Sequence, residues 1–205
     1  HYTSNWGKME LRQAISDNLQ RLYQIKYDPT NEIIATVGGS EALYLTFTAI
    51  LDTGDEVIIP TPCFVSYQAE VIMAGGVAVE VPAREANDFC VDPDDIRKAI
   101  TPRTKMILLN SPANPTGAVA SEAEVRGLAE LAARHHVALV SDEIYRYFCY
   151  DRPFVSAARF NDRTIVIDGF SKSHAMTGWR LGFVHGPNEI VQTMLKLQQY
   201  TFVCA

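Results

Sequence analysis

The chain has 205 residues, and its content of 47% hydrophobic and 20% charged residues is typical of a globular protein. The net charge of −6 arises from 24 acidic and 18 scattered basic residues, which argues against a nucleic-acid-binding surface. Apolar runs such as EVIIP are much shorter than the roughly 20 residues that span a bilayer, so we expect a cytoplasmic protein with neither a membrane nor a nucleic-acid partner.

The first half of the chain alternates between helix and strand patterns. Apolar residues at the spacing of one helical face predict an amphipathic first helix, and these are Leu11, Ile15, Leu19 and Leu22. The run IIATV predicts a strand, and the mostly apolar run after it, which opens with two glycines, predicts a helix. EVIIP and VAVEVP predict strands on either side of a helix over 64–74. Asp92 and Pro93 are typical of the N-cap and first position of a further helix.

The second half continues this alternation. MILLN predicts a strand, and SPANPTG predicts a rigid loop because its two prolines suit neither a helix nor a strand ladder. Ser121 and Glu124 form a capping-box pattern, which opens a helix that ends near His136. VALVSDE, TIVID and LGFVHG predict three more strands, and a last helix begins near Pro187.

Alternating strands and helices, with strands that are apolar on both faces, predict a three-layer α/β/α sandwich around a mainly parallel central sheet. The sheet needs most of the chain, so we predict a single domain over 1–205. In such sheets ligands bind beyond the carboxyl ends of the strands, and the candidate functional residues are therefore those that follow strands.

The cysteines and histidines do not form a recognisable metal-site pattern. The four cysteines, Cys63, Cys90, Cys149 and Cys204, share no close spacing, and the histidines do not form an H-E-x-x-H pattern. We therefore predict reduced thiols and no metal site.

The first candidate lies where Gly38, Gly39 and Ser40 follow a strand and open a helix. Glycines let a ligand approach the backbone, and a helix N-terminus offers free N–H groups, so this turn suits a phosphate. The alternative is a tight connection without a ligand. The stretch matches neither the dinucleotide-binding fingerprint nor the phosphate-binding loop (Walker A motif) of nucleoside triphosphatases.

Further candidates follow the later strands. Asp142 ends VALVSDE, where a buried carboxylate needs a cationic or hydrogen-bonding partner, although it could instead cap the next segment. Asn114, framed by prolines, presents a fixed amide that can donate and accept hydrogen bonds. Lys172 and Arg180 follow TIVID with small residues between them, and they suit a reactive amine and a phosphate-binding guanidinium. A surface role is the alternative for the lysine, and an ion pair is the alternative for the arginine.

NPTG followed by SKSHAMTGWRLG resembles the fold-type I pyridoxal-phosphate enzymes, most closely the class I/II aminotransferases related to aspartate aminotransferase. The resemblance extends over nearly the whole chain. It implies pyridoxal 5′-phosphate as the cofactor, with an amino acid and a 2-oxo acid as substrates. It also implies a homodimer with shared active sites.

The resemblance assigns roles to individual residues. Lys172 would form the Schiff base with the cofactor and shuttle a proton, and Asp142 would pair with the pyridine nitrogen. Tyr145 and Asn114 would hydrogen-bond the phenolic oxygen of the ring. Phe64 would stack on the ring, at a position where the family often has Trp or Tyr. The phosphate would be held by Gly39, Ser40, Ser171 and Arg180. Tyr2 would reach the phosphate in the neighbouring subunit.

Two parts of the family pattern are missing from this sequence. The family's arginine for the substrate α-carboxylate lies in a C-terminal small domain, which this chain does not reach, and the N-terminal arm is absent. The final apolar helix also ends without turn or charge signals. We therefore expect a large-domain fragment that binds the cofactor but transaminates weakly or not at all.

Two alternatives to an aminotransferase stay open, and a third is excluded by its missing motif. The same core supports C–S β-lyases and enzymes that make cyclopropane amino acids, because the substrate bond that breaks depends on the missing domain. A second alternative is the cofactor-sensing, aminotransferase-like domain of a transcription regulator, although no helix-turn-helix is visible. A nicotinamide dehydrogenase is disfavoured because its glycine fingerprint is absent.

Overall fold

The computed structural model describes residues 2–205, and its centre is one seven-stranded sheet. The strand order across the sheet is β1-β7-β6-β5-β4-β2-β3. The strands are β1 (Ile33–Thr36), β2 (Glu56–Thr61), β3 (Val77–Pro82), β4 (Thr104–Asn110), β5 (Ala138–Asp142), β6 (Ile165–Gly169) and β7 (Gly182–His185).

Helices connect these strands at the positions that the sequence predicts. The α-helices are α1 (Met9–Tyr23), α2 (Gly38–Ile50), α3 (Ser66–Met73), α4 (Pro93–Ala99), α5 (Glu122–His135) and α6 (Asn188–Thr201). Four short 3₁₀ turns lie over Glu85–Asn87, Arg146–Phe148, Ala157–Arg159 and Thr177–Trp179. No helix within residues 2–205 combines the length and the apolar character needed to cross a membrane.

The sheet is mainly parallel, as predicted. Strands β2 to β6 pair in parallel, whereas β7 pairs antiparallel with both β6 and β1. All of β1, β6 and β7 is buried, while β3 is a half-exposed edge strand.

Helices cover both faces of the sheet, which confirms the three-layer sandwich. On one face α2, α3 and α6 pack against β-strand residues such as Val57, Leu108 and Ile167. On the other face α4 and α5 cover one part of the sheet and α1 covers the rest. Because side chains alternate along each strand, successive residues of a strand pack against the helices on opposite faces of the sheet.

The predicted helix starts are confirmed in detail. The Asp92 carboxylate accepts a hydrogen bond from the Asp94 amide at 2.8 Å. The Ser121 hydroxyl accepts from the Glu124 amide at 3.3 Å, while the Glu124 carboxylate accepts from the Ser121 amide at 2.7 Å. Together these two bonds complete the capping box at the start of α5.

The buried face of α1 differs from the apolar stripe in the sequence. Leu22 is 37% exposed, whereas Arg12 and Ser16 are buried. The Ser16 hydroxyl donates to the carbonyl oxygen of Tyr27 at 2.6 Å, and the Arg12 guanidinium donates to the carbonyl oxygen of Pro29. Because these bonds satisfy polar atoms of both side chains, the two residues can occupy the face towards the 25–29 segment.

Candidate active site

A cleft opens beyond the carboxyl ends of the parallel strands. The empty space inside it, counted together with open solvent at its mouth, is about 740 Å³. We call it the strand-end cleft. Its lining includes nine of the predicted site residues, namely Gly39, Ser40, Phe64, Asn114, Asp142, Tyr145, Ser171, Lys172 and Arg180.

Asp142 lies at the base of the strand-end cleft as the last residue of β5 and is only 6% exposed. Its Oδ2 accepts a hydrogen bond from the Tyr67 hydroxyl at 2.7 Å, and its Oδ1 accepts one from the Ile144 amide at 3.2 Å. Burial raises the pKa of Asp142 above its usual value, while these two bonds act in the opposite direction. Among residues 2–205 no Lys, Arg or His forms an ion pair with this carboxylate.

Tyr67 is not among the site residues predicted from the sequence. In the structure Tyr67 is 1% exposed and packs edge-on against Phe64, with the ring centroids 5.6 Å apart. A buried tyrosine needs a hydrogen-bond partner for its hydroxyl, and Asp142 provides it. The only signal in the sequence is a tyrosine one turn after Phe64, on a helix that faces the sheet.

Lys172 and Tyr145 face each other across the strand-end cleft. Tyr145 follows β5, Lys172 follows β6, and the Lys172 Nζ lies 5.9 Å from the centroid of the Tyr145 ring. The side chain of Lys172 lines the cleft and forms no ion pair with a carboxylate in residues 2–205. Its amine is therefore accessible to a ligand.

The N-terminus of α2 and Arg180 form the other end of the strand-end cleft. Gly38 has φ +74°, and a Cβ at this position would lie 2.8 Å from Nη2 of Arg180. Likewise, a Cβ on Gly182 would lie 2.7 Å from the carbonyl carbon of Gly38 and 2.9 Å from the amide nitrogen of Gly39. Glycine at both positions therefore lets the guanidinium, β7 and the helix start approach one another.

The loop SPANPTG is tied to the end of β5 through Asn110, whose role is not evident in the sequence. Asn110 Oδ1 accepts from the Asn114 amide at 2.8 Å, and Asn110 Nδ2 donates to the carbonyl oxygen of Asp142 at 3.1 Å. The loop residue Asn114 is thus held at the end of β5, where it lines the strand-end cleft together with Asp142.

Tyr2 is the one predicted site residue that does not line the strand-end cleft. Its side chain is 87% exposed. The expectation that it reaches a neighbouring subunit stays a prediction.

Comparison with known proteins finds relatives over the whole chain. The sequence profile described as aminotransferase class I and II matches residues 1–205. The chain is 44% identical to an aspartate aminotransferase of Pyrococcus abyssi and 40% identical to aromatic-amino-acid aminotransferase 2 of Thermococcus litoralis, in each case over 100% of this chain and 54% of the relative. A solved aspartate aminotransferase from Thermus thermophilus with maleate superposes with a TM-score of 0.97 at 42% identity, over 100% of this chain and 53% of that one.

The chain thus spans about half the length of the relatives it matches. The family profile covers the whole of this sequence, and the fold agrees with it. The chain therefore belongs to the aminotransferase class I and II family.

Proposed function

We propose that the chain is the cofactor-binding core of a pyridoxal 5′-phosphate-dependent aminotransferase, which transfers an amino group between an amino acid and a 2-oxo acid. The observation that carries this proposal is the arrangement of the strand-end cleft. Within residues 2–205, Lys172 and Arg180 lie there without carboxylate partners, together with the buried Asp142, in a fold shared with aminotransferases.

The lining of the strand-end cleft fits the cofactor group by group. Arg180, the α2 N-terminus, Ser40 and Ser171 supply a positive charge and hydrogen-bond donors for a phosphate. Phe64 offers an aromatic face for a pyridine ring. Asn114 and Tyr145 can hydrogen-bond the phenolic oxygen, and Lys172 is the accessible amine for the aldehyde.

Asp142 suits a partner that carries a positive charge. Because burial raises its pKa and the described chain offers it no cation, a protonated pyridine nitrogen would supply the missing charge. Such a pair would favour the ionised carboxylate and so hold the proton on the nitrogen.

The bound cofactor supplies an electron sink for the substrate's α-carbon. The chain's own groups hold and move protons around it. Asp142 would keep the ring nitrogen protonated, and the Nζ of Lys172 would move a proton between the α-carbon of the substrate and C4′ of the cofactor. The Tyr145 hydroxyl holds the phenolic oxygen in place.

The assembly and location of the protein are part of the same proposal. We place residues 1–205 in one cofactor-binding domain of a cytoplasmic homodimer, with Tyr2 directed towards the partner's phosphate site. The exposure of Tyr2 supports a contact outside its own subunit.

The test of the activity uses the chain loaded with pyridoxal 5′-phosphate and mixed with aspartate. We expect slow formation of the 2-oxo acid in an amount close to that of the protein, and weak turnover when 2-oxoglutarate is added. Rapid multiple turnover would contradict the expected weak activity of this chain. Pyruvate and ammonia from cystathionine, without a 2-oxo acid from aspartate, would favour a C–S β-lyase.

A further inference from the structure

A buried ion pair lies beneath the strand-end cleft, on the opposite face of the sheet. Arg146 Nε and Asp168 Oδ2 are 2.6 Å apart, and their side chains are only 6% and 3% exposed. Ile167 packs into the core on the α2 side, so the next residue, Asp168, points to the face that α1 covers. Neither member of the pair lines the cleft.

The pair joins the two segments that carry Tyr145 and Lys172. Arg146 directly follows Tyr145, and Asp168 lies four residues before Lys172. The last backbone hydrogen bond between the two strand ends runs from the Glu143 amide to the carbonyl oxygen of Ile167, at 2.8 Å. Beyond it, the Arg146–Asp168 contact is the next polar connection between the two segments in the described chain.

Asp168 also binds the backbone of its own segment. Its Oδ1 accepts from the Gly169 amide at 2.6 Å, at the end of β6. A Cβ on Gly169 would lie 3.0 Å from Cα of Gly182 and 3.2 Å from Cδ1 of Ile144, so this corner is closely packed. The Asp168 carboxylate thus contacts the Gly169 amide, in the turn that leads to Lys172, and also Arg146, which follows Tyr145.

No other carboxylate forms an ion pair with Arg146 among residues 2–205. The ring centroid of Tyr147 lies 4.8 Å from its Cζ, and that of Tyr23 from α1 lies 5.5 Å away. Glu143 is occupied by the hydroxyls of Ser141 and Ser156 and by the Ala157 amide. Burial and the charge of Arg146 lower the pKa of His185 on β7 to about 3, so it adds no charge near neutral pH.

We propose that Arg146 and Asp168 are positioning residues that fix Tyr145 relative to Lys172 from outside the strand-end cleft. This inference rests on the proposed function, because it concerns how the chain's residues are held for the cofactor. It predicts that the geometry around Lys172 changes when the pair is broken, even though no residue in the cleft is replaced.

The test is Asp168→Asn. This change keeps the side-chain shape and an oxygen for the Gly169 amide, but it leaves the buried guanidinium without its counter-ion. We expect the Kd for pyridoxal 5′-phosphate to rise about tenfold. We also expect the pH midpoint of the bound cofactor's visible band to move, which a purely structural role would not cause.

Glu56→Gln is the matched control. It breaks the ion pair between the buried Glu56 and the exposed Arg103, whose atoms are 2.5 Å apart, at the opposite end of the strands. We expect this variant to keep the parent's Kd and band midpoint. Equal losses in both variants would mean general destabilisation and would overturn the inference.

A double variant, Arg146→Met with Asp168→Asn, removes both charges and so avoids an uncompensated buried cation if the single variant does not fold. We expect it to show the same weakened binding and displaced midpoint. Binding and a midpoint equal to the parent's, in either folded variant, would refute the positioning role alone. A parent chain without any visible band would refute the proposed function and this inference together.

Discussion

Asp142 and Tyr67 are a buried, hydrogen-bonded pair of side chains in the strand-end cleft. Both are almost completely buried, and the hydrogen bond between them measures 2.7 Å. Because burial disfavours the charged carboxylate, the hydroxyl that stabilises it matters for both folding and proton affinity. Tyr67 therefore contributes to the site without being a predicted ligand of the cofactor.

Replacing Tyr67 by Phe removes this hydroxyl and keeps the ring. We expect the free energy of unfolding at pH 7 to fall by about 2 kcal/mol, the usual range for a hydrogen bond to a charged group. We also expect the pKa of Asp142 to rise further. Urea denaturation measures the stability change, and NMR titration of the carboxyl carbon measures the pKa.

Tyr44→Phe is the control for this prediction. The hydroxyl of Tyr44 forms no hydrogen bond within residues 2–205, and its ring packs edge-on against Phe202. Its removal should leave the stability almost unchanged. Equal stability of the Tyr67→Phe variant and the parent would contradict the importance of the Asp142 bond.

The sequence alone identifies residues whose chemistry stands out at the end of a strand. Lys172, Arg180 and Asp142 are recognisable in this way, and the structure brings them into one cleft. Tyr67 and the Arg146–Asp168 pair are not, because their importance depends on contacts between elements far apart in the sequence. A tyrosine or arginine on its own carries no signal of such a contact.

At the scale of elements, the turn between β1 and α2 is shaped by its contact with β7 and with Arg180. Gly38 opens α2 at φ +74°, and the guanidinium of Arg180 lies where its side chain would be. Arg180 itself has φ 50°, and its Nη1 donates to the carbonyl oxygen of Thr177 at 3.2 Å. The shape of the strand-end cleft at Arg180 therefore depends on the absence of a side chain at Gly38.

Gly38→Ala introduces both backbone strain and a clash with Arg180. We expect weaker binding of pyridoxal 5′-phosphate, by about tenfold or more, because the guanidinium must move. The strain alone should lower the free energy of unfolding by about 1 kcal/mol. Equilibrium titration of the cofactor measures the first effect, and denaturation measures the second.

Gly54→Ala separates the two effects of the Gly38 substitution. Gly54 has φ +90°, but a Cβ at this position would meet no heavy atom within 4 Å beyond its chain neighbours, so it shares the strain without the clash. We expect a similar loss of stability with unchanged cofactor affinity. If both variants bind the cofactor equally well, the close approach of Arg180 to Gly38 is not required.

The elements themselves are predictable because apolar runs, caps and glycine or proline signals agree along the chain. The capping box at Ser121 and the N-cap at Asp92 are examples. The strand order is not predictable in the same way. The antiparallel placement of β7 between β1 and β6 and the exposure of β3 at the edge depend on long-range pairing rather than on local patterns.

At the scale of the whole molecule, the core contains titratable groups whose pKa shifts change the folding stability with pH in opposite directions. Burial raises the pKa of Glu143 to about 7, which favours the folded state at low pH and disfavours it as the pH rises. His185, packed against Tyr27 at a centroid distance of 4.4 Å, has the opposite effect. Its folded pKa of about 3 lies below the unfolded value, so its contribution to stability is lost as the pH falls below 6.5.

His185→Phe isolates this histidine. Between pH 7 and pH 5 the parent should lose about 2 kcal/mol of unfolding free energy relative to the variant, because the unfolded histidine takes up a proton that the folded one cannot. Denaturation of both proteins at the two pH values measures the difference. Parallel pH dependence of the two proteins would show that the buried ring does not control acid stability.

The central claim is that Lys172 is the residue that holds the cofactor. The most direct measurement is borohydride reduction of the chain mixed with pyridoxal 5′-phosphate, followed by peptide mass mapping of its six lysines. We predict a phosphopyridoxyl group on Lys172, and no such modification in the Lys172→Ala variant. Modification spread over the surface lysines, or none at Lys172, would contradict the account.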